Sequence, residues 1–232
     1  MKVLLIIPAY NEQKNIKSVI NELRKDFKEA DILVVNDCSK DNTENILKKC
    51  NVKYINHCIN LGYSGAVQTG IKYACYNDYD YVVQFDADGQ HVAEEAKKLY
   101  DLSLKTKADI VIGSRFIKKT NYKHPFFRKV GTKLFSKIIK IFCKTEIFDP
   151  TSGLQCLNKK VIKRYASIGG YPEFPDANLI IEMLYEKYTI KEESVVMRES
   201  NTGQSMHGGI IKPIKYMINV LYNITFIIIK NM

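Results

Sequence analysis

Short apolar runs alternate with segments of helical periodicity through the first half of the chain. The runs cover residues 3–7, 32–35, 52–55 and 81–85, and residues 109–112 are a fifth predicted strand. Runs of this length are typical of strands that are buried on both faces of a parallel sheet. The segments between them repeat apolar residues at the spacing of a helix with one buried face. The alternation predicts an α/β fold: a single domain on a largely parallel central sheet, with helices on both faces.

The fourth apolar run leads directly into Asp86-Ala87-Asp88-Gly89-Gln90-His91. Side chains alternate between faces in extended backbone, so Asp86 and Asp88 would point the same way, and Gln90 would follow if the extension persists. Two carboxylates on one side suit Mg²⁺ or Mn²⁺, which keep other coordination positions open for substrate phosphate oxygens. Asp-Gly is also a common turn dipeptide, so an ordinary turn is the alternative interpretation.

Other predicted strands also end at residues suited to a binding site. Pro8, Asp37 and Arg115 lie at or just after strand ends, as Asp86 does. Ligands of open parallel sheets bind beyond the carboxyl ends of the strands, so we expect these residues to border one site.

The formal net charge of +10 favours an anionic partner. Nucleic acid, an anionic membrane surface and phosphorylated substrates all meet that description. The sequence has no nucleic-acid-binding motif and no aromatic platform interleaved with lysines, so we expect no nucleic-acid partner. Redox chemistry with a dinucleotide is also disfavoured, because no G-x-G-x-x-G follows the first strand.

Residues 128–144 combine lysines with apolar residues at helical spacing. One face of this helix would carry Lys129, Lys133, Lys137, Lys140 and Lys144, and the opposite half would be apolar. A basic amphipathic helix is typical of binding at a membrane interface, although an ordinary surface helix has the same pattern. Arg128 lies near the apolar side, where a guanidinium is costly unless it meets an anion.

The C-terminal segment is apolar from residue 216 to 229, apart from Asn219 and Asn223. A helix of about 14 residues spans roughly 21 Å, less than the roughly 30 Å hydrocarbon core of a bilayer. We expect a domain at residues 1–209 and an apolar C-terminal helix at residues 210–232. That helix would lie in the membrane interface or dock on a membrane partner, and packing against the domain is the alternative.

Six segments together resemble glycosyltransferases of family 2 with the A-type fold. These are Pro8-Ala9-Tyr10-Asn11-Glu12, Asn36-Asp37-Cys38-Ser39, Asn60-Leu61-Gly62, Asp86-Ala87-Asp88-Gly89-Gln90-His91, Gly113-Ser114-Arg115-Phe116 and Asp149-Pro150-Thr151-Ser152-Gly153. The resemblance is greatest to the polyprenyl-phosphate branch, that of the dolichol-phosphate mannose synthases. It covers about residues 1–200, and the order of the motifs makes it specific.

The resemblance implies a role for each matching residue. The nucleotide would contact Pro8, Tyr10, Glu12, Asp37, Asp86, Ala87 and Arg198. The metal on the donor diphosphate, Mg²⁺ or Mn²⁺, would be held by Asp86, Asp88 and Gln90. Arg115 and Arg128 match positions that bind the phosphate of the acceptor, and with Asp88 they form the expected catalytic set.

The late loop departs from the pattern of this branch, which usually reads Arg-x-x-Gly-x-Ser-Lys. Here Met206 follows Gly203-Gln204-Ser205, and the nearest preceding arginine is Arg198. Contact between this loop and the diphosphate would therefore depend on Arg198 or on His207.

The implied reaction is inverting transfer of a sugar from a nucleotide sugar to a polyprenyl phosphate, such as undecaprenyl phosphate, on the cytoplasmic face of the cell membrane. A UDP-sugar such as UDP-N-acetylglucosamine or UDP-glucose is favoured. A small integral-membrane protein is a candidate partner. The alternative acceptor is a hydroxyl of a cell-wall or capsular polysaccharide, which needs a general base such as Asp149, Asp176 or Glu182.

Overall fold

The computed structural model describes residues 1–118, 126–167, 169–198 and 211–231, without the side chains of residues 126–128 and 211–215. The strands are β1 (Val3–Ala9), β2 (Asp31–Asn36), β3 (Lys53–Asn56), β4 (Tyr81–Gln84), β5 (Ile110–Ser114), β6 (Gln155–Asn158) and β7 (Ile190–Ser194). The helices are α1 (Ile16–Asp26), α2 (Thr43–Lys49), α3 (Gly62–Tyr76), α4 (Ala93–Thr106), α5 (Phe126–Cys143), α6 (Lys159–Ala166), α7 (Ala177–Tyr185) and α8 (Ile211–Lys230).

The strands form one sheet in the order β3-β2-β1-β4-β6-β5-β7. Strand β6 is antiparallel to both of its neighbours, β4 and β5, and the other pairs are parallel. The predicted α/β fold with a largely parallel sheet is confirmed. Strand β1 is central and wholly buried, which explains its uninterrupted apolar sequence.

Each face of the sheet has its own apolar core. Leu4 and Ile6 of β1 face a core that α3 and α5–α8 cover. Leu5 and Ile7 face the opposite core, which α1, α2 and α4 cover. The alternation along β1 therefore places helices on both faces, as the sequence pattern predicts.

The topology brings several chain segments to one edge of the sheet. Strands β1, β2, β4 and β5 run in the same direction, so their carboxyl ends share this edge. Antiparallel β6 begins at the same edge, and its register pairs Gln155 with Gln84. The chain just before β6 therefore meets the chain just after β4.

Helices α5 and α8 each bury one face and expose the other. Phe135 and Ile139 of α5 are buried, while its four lysines and several apolar side chains are exposed. Helix α8 buries Val220, Ile224 and Ile228 in the core beside α7. It covers 20 residues, more than the apolar run alone suggests. No helix in the described part of the chain combines the length and apolar character needed to cross a membrane.

Candidate active site

Asp86 lies just beyond β4, at the shared edge of the sheet. The hydroxyl of Tyr63, in the first turn of α3, donates a hydrogen bond to Asp86 Oδ1 at 2.9 Å. The backbone N–H of Asp86 donates to His91 Nδ1 at 3.2 Å, so the proton of a neutral His91 ring lies on Nε2. That nitrogen is 3.6 Å from Asp86 Oδ2. The Asp86 carboxylate is thus oriented from two sides, while its side chain stays 27% exposed.

Asp88 reaches the same site through a turn. The chain bends after Asp86, Gly89 has a φ of +78°, and Asp88 Oδ1 accepts the backbone N–H of Gln90 at 2.9 Å. The extended backbone on which Gln90 would follow Asp86 and Asp88 does not persist, because the chain turns at residues 87–88. The side chain of Gln90 as a metal ligand stays a prediction.

Glu12 shows that the carboxylates share one electrostatic environment. Burial raises the pKa of Glu12, and the negative charges of Asp88, Asp41 and Asp86 raise it further. A hydrogen bond from Asn15 Nδ2 to Glu12 Oε2, at 2.9 Å, acts in the opposite direction. The end of β1 therefore adds a third acidic side chain to the two that follow β4.

The acidic cluster suits a metal that takes part of its coordination from substrate. Among the residues that the structure describes, no three His, Cys, Asp or Glu side chains are grouped so that they could hold a metal ion. Carboxylate oxygens are nevertheless the ligands that Mg²⁺ and Mn²⁺ prefer. Mg²⁺ is commonly held by one or two carboxylates together with substrate phosphates and water. Asp86 and Asp88 fit that mode of binding.

Gly153 keeps the space in front of Asp86 open. A Cβ atom at this position would lie 2.9 Å from the Tyr63 hydroxyl oxygen and 3.4 Å from Asp86 Oδ2. Contact this close with the hydroxyl would force a shift. The glycine thus lets the segment before β6 approach the carboxylate without displacing its hydrogen-bond donor.

Asp37 follows β2 and is bound by its own chain. Its Oδ1 accepts the backbone N–H of Leu61 at 2.8 Å, and its Oδ2 accepts that of Gly62 at 2.8 Å. His57 Nδ1 lies 2.7 Å from Asp37 Oδ1. The carboxylate therefore joins the end of β2 to the start of α3, and its predicted contact with the nucleotide stays a prediction.

The other residues predicted to contact the nucleotide lie around this edge. Pro8 is buried within β1 opposite Val35, and Ala87 is buried in the core. Tyr10 is exposed just past β1. Because the Ala87 side chain faces the core, only the backbone of that residue is placed to meet a ligand.

Arg115 forms a buried ion pair beyond β5. Its Nε and Nη2 atoms donate to the two carboxylate oxygens of Asp149 at 2.7 Å and 2.8 Å. Nη2 also lies 3.2 Å from Thr151 Oγ1, and the Asp149 side chain is 0% exposed. An acceptor phosphate would therefore meet an arginine that is already paired. Arg128 lies in α5, and its side chain is outside the described part of the structure.

Arg198 lies beside the carboxylate turn but points its guanidinium elsewhere. Its backbone N–H donates to the carbonyl of Gln90 at 2.8 Å. Its Nη1 and Nη2 atoms bind the carboxylate of Glu22 on α1 at 2.7 Å and 2.9 Å. Contact between Arg198 and a diphosphate would require this pair to open, and His207 falls outside the described residues.

Sequence reasoning missed Tyr63 and His57. Tyr63 directly follows the Asn60-Leu61-Gly62 motif, but no local pattern shows that its hydroxyl reaches Asp86. Burial raises the pKa of Tyr63 and the charge of Asp86 raises it further, so the hydroxyl remains a donor. His57 follows β3, and its only sequence signal is its place just after a strand.

The class of the protein follows from comparison with known protein families. The model of the family described as glycosyl transferase family 2 matches residues 4–166. The chain therefore belongs to glycosyl transferase family 2.

Curated relatives carry names of polyprenyl-phosphate enzymes. The chain is 35% identical over 179 residues to the UDP-N-acetylglucosamine–dolichyl-phosphate N-acetylglucosaminyltransferase of Methanococcus voltae, covering 69% of this chain and 71% of the relative. It is 31% identical over 171 residues to the undecaprenyl-phosphate mannosyltransferase of Micrococcus luteus, covering 70% and 69%. It is 35% identical over 172 residues to the dolichol-phosphate mannosyltransferase of Pyrococcus furiosus, covering 70% and 48%.

Solved structures share the fold at low sequence identity. Glucosyl-3-phosphoglycerate synthase from Mycobacterium tuberculosis, in complex with Mn²⁺, UDP and phosphoglyceric acid, has a TM-score of 0.69 at 14% identity, covering 98% of this chain and 78% of that one. The mannosyltransferase PcManGT from Pyrobaculum calidifontis, in complex with GDP-Man and Mn²⁺, has a TM-score of 0.69 at 16% identity, covering 97% and 64%. Both comparisons support the A-type fold.

Proposed function

We propose that this chain transfers a sugar from a nucleotide sugar to a polyprenyl phosphate, with inversion at the anomeric carbon. The observation that carries the proposal is the segment of residues 149–153. Gly153 packs against Asp86, and Asp149 and Thr151 bind Arg115. The proposed donor carboxylates and the proposed acceptor arginine are thus linked through five consecutive residues. The names of the relatives supply the class of acceptor.

The donor would bind at the edge formed by β1, β2 and β4. Asp86 and Asp88 would hold Mg²⁺ or Mn²⁺ on the diphosphate, with Gln90 as a further candidate ligand. The cation would offset the charge that develops on the departing nucleoside diphosphate. Tyr63 and His91 orient Asp86 for this role before substrate arrives. Pro8, Tyr10, Glu12, Asp37 and Ala87 would border the nucleoside.

The acceptor would arrive at the end of β5 and the start of α5. A phosphate oxygen is already anionic at neutral pH, so the protein needs to position it and needs no general base. Arg115 and Arg128 are the proposed phosphate ligands. The hydroxyl oxygen of Thr132 on α5 lies 3.1 Å from that of Thr151, which contacts Arg115. This contact supports a role for the amino-terminal half of α5 in acceptor binding.

A hydroxyl acceptor is the less favoured alternative because two of its three candidate bases are held in ion pairs. Asp149 is buried against Arg115, and Glu182 binds Arg164 at 3.0 Å. Asp176 accepts a hydrogen bond from the Tyr216 hydroxyl at 2.6 Å. It is also close enough to Tyr63 to raise the pKa of that residue. Asp176 is therefore the base that this alternative would use.

The exposed faces of α5 and α8 support a peripheral position on the membrane. Helix α5 exposes its lysine row next to Val130, Leu134, Ile141 and Phe142. Helix α8 exposes Ile218, Tyr222, Phe226 and Ile229, on the side opposite its buried residues. Lysines that flank apolar side chains suit the headgroup region of an anionic bilayer. We propose the cytoplasmic face, where the lipid phosphate would reach the site.

The proposed division of the chain is a catalytic unit at residues 1–209 and a membrane-interface helix at residues 210–232. The apolar row of α8 is also the surface that a small integral-membrane partner would cover.

The names of the relatives indicate a nucleotide-sugar donor and differ in the sugar. We favour a UDP-sugar, with UDP-N-acetylglucosamine first and UDP-glucose second, because the Methanococcus voltae relative is named for UDP-N-acetylglucosamine.

The test is a donor screen with the purified protein. The protein is incubated with undecaprenyl or dolichyl phosphate in vesicles, with Mg²⁺ or Mn²⁺, and with each member of a panel of UDP- and GDP-sugars. Lipid products are then identified by mass spectrometry. We expect one lipid-linked sugar and none with Asp88→Asn. Asp101→Asn, on the exposed surface of α4, is the matched control and should retain activity. Products formed only when a polysaccharide acceptor is supplied in a parallel incubation, and abolished by Asp176→Asn, would favour the alternative.

A further inference from the structure

His57 is held between two side chains at the edge of the proposed nucleotide site. Its Nδ1 atom lies 2.7 Å from Asp37 Oδ1, and its Nε2 atom lies 2.9 Å from Thr69 Oγ1 of α3. The side chains of His57 and Asp37 are 9% and 4% exposed. The backbone N–H of His57 donates to the carbonyl of Asn36 at 2.9 Å, continuing the β2–β3 ladder. Ring and backbone are therefore both fixed.

The partners of the ring determine which of its nitrogens donate. The Asp37 carboxylate can only accept, so His57 Nδ1 donates to it. On the other side of the ring, Thr69 Oγ1 lies 2.9 Å from both His57 Nε2 and the carbonyl oxygen of Gly65. The contact with Asp37 is therefore a hydrogen bond that the ring donates.

Asp37 connects His57 to the start of α3. Its two carboxylate oxygens accept the N–H groups of Leu61 and Gly62, where α3 begins. The next residue, Tyr63, donates to Asp86. An unbroken series of contacts therefore runs from His57 through Asp37 and the start of α3 to the proposed metal ligand.

We propose that His57 is a positioning residue for the nucleotide-sugar donor. By donating to Asp37 it sets the orientation in which that carboxylate meets the nucleoside and holds the first turn of α3. This inference rests on the proposed function, because it assigns His57 to the same donor site. It adds a residue that makes no substrate contact itself and acts through Asp37.

Two substitutions separate the two hydrogen bonds of the ring. In His57→Asn, the amide nitrogen takes the place of Nδ1 and can still donate to Asp37. In His57→Gln, the amide nitrogen takes the place of Nε2 and can reach only Thr69. Each variant keeps one hydrogen bond of the ring and loses the other, so a purely structural role predicts similar losses of stability and binding for both.

The measurement is the Kd of UDP and of GDP with Mn²⁺, by titration calorimetry on the full chain, together with Tm. For the nucleotide that the wild type binds, we expect His57→Gln to raise Kd about tenfold or more, the usual cost of a hydrogen bond to a charged group. His57→Asn should stay within about threefold, although both variants melt below the wild type. The KM of the donor should follow Kd, with a smaller change in kcat.

Thr69→Val is a second probe if His57→Gln does not fold. It removes the other partner of the ring and leaves the Asp37 contact, so we expect Kd within about threefold of wild type. Equal weakening by His57→Asn, His57→Gln and Thr69→Val, or wild-type binding by His57→Gln, would overturn the positioning role. A wild-type protein that binds neither UDP nor GDP would instead overturn the proposed function.

Discussion

Asp37 and Asp86 occupy equivalent places on the sheet and have different surroundings. Each is the first carboxylate after a parallel strand, and their strands, β2 and β4, flank β1. Asp37 accepts hydrogen bonds from two backbone N–H groups and faces His57, with a side chain that is 4% exposed. Asp86 accepts from the Tyr63 hydroxyl, lies near Asp88 and Glu12, and is 27% exposed.

The difference shows how one sequence pattern serves two purposes. A carboxylate surrounded by donors from its own chain stabilises the loop that contains it. A carboxylate placed beside other carboxylates gains little from its own chain and favours an added cation. We therefore propose that Asp37 stabilises the site and borders the nucleoside, and that Asp86 binds the cation. The two roles predict different responses to neutralisation, a loss of activity for Asp86 and a loss of stability for Asp37.

Neutralising Asp86 should have the largest effect on activity. Asp86→Asn removes one of the two proposed metal carboxylates, and we expect kcat to fall at least about a hundredfold, the upper range for loss of a group that supports a metal. The Tm without metal should stay near that of wild type, because like charges are relieved. Initial rates of lipid-product formation at saturating Mn²⁺ measure the first effect, and calorimetry measures the second.

Asp101→Asn serves as the control for Asp86→Asn, because it neutralises an exposed carboxylate that pairs with Lys97 on the same helix. Its rate should match wild type. If Asp86→Asn were as active as this control, the assignment of Asp86 to the metal site would be wrong.

Neutralising Asp37 should mainly lower the free energy of unfolding. In Asp37→Asn, the amide NH₂ would replace one of the oxygens that accept from Leu61 and Gly62, leaving a buried donor without its acceptor. We expect a loss of about 1–3 kcal/mol, which corresponds to roughly 2–4 °C in Tm per kcal/mol for a chain of this size. Thermal unfolding without nucleotide measures this loss. An Asp37→Asn variant as stable as Asp86→Asn would contradict the comparison.

Much of the fold follows from local sequence. The apolar runs predict the central parallel strands, and helical spacing predicts the helices between them. Each of these signals depends only on residues that are a few positions apart in the chain. The position of Asp86 at a strand end was predicted in the same way. The exact extent of β4 was not, since the strand ends at Gln84, one residue before the end of the apolar run.

The contacts that complete the candidate site cannot be predicted from local sequence patterns. Gly153 meets Asp86 only because β6 inserts antiparallel beside β4. Asp149 was considered as a base, but it neutralises Arg115 from 34 residues away. Arg198 matches a motif position, yet it pairs with Glu22 across 176 residues. Such partners depend on the assembled topology, and periodicity carries no information about them.

Filling the space at Gly153 should reduce activity without changing any charge. In Gly153→Ala, the new Cβ would press on the Tyr63 hydroxyl and on Asp86. We expect kcat to fall about tenfold, because a small displacement of catalytic groups is costly. Gly169→Ala is the control: its φ of +69° makes the substitution strained, but its Cβ would meet nothing within 4 Å. The control should lose Tm and keep its rate, and equal rates for both variants would exclude a role for the close approach at Asp86.

Neutralising Glu12 should have the smallest effect, and one of opposite sign to that of Asp37. Burial and the charges of Asp88, Asp41 and Asp86 raise the pKa of Glu12 above its ordinary value of 4.5. A carboxyl that binds its proton more tightly in the folded state favours folding at acid pH. That contribution is complete below pH 4.5 and is lost as the pH rises through the folded-state pKa. Glu12→Gln should therefore raise Tm by about 1–3 °C at pH 7 without metal or nucleotide, and should have no such effect at pH 4.

Glu29→Gln tests the sign of the Glu12 effect. A hydrogen bond from Lys97 lowers the pKa of Glu29, so this carboxylate stabilises the folded state above its ordinary pKa, and its removal should lower Tm at pH 7. The two variants should thus shift Tm in opposite directions in the same buffer. Adding Mn²⁺ should reduce the gain from Glu12→Gln, because a bound cation offsets the repulsion that the substitution relieves. A gain that is unchanged by Mn²⁺ would place Glu12 beyond the electrostatic influence of the proposed metal site.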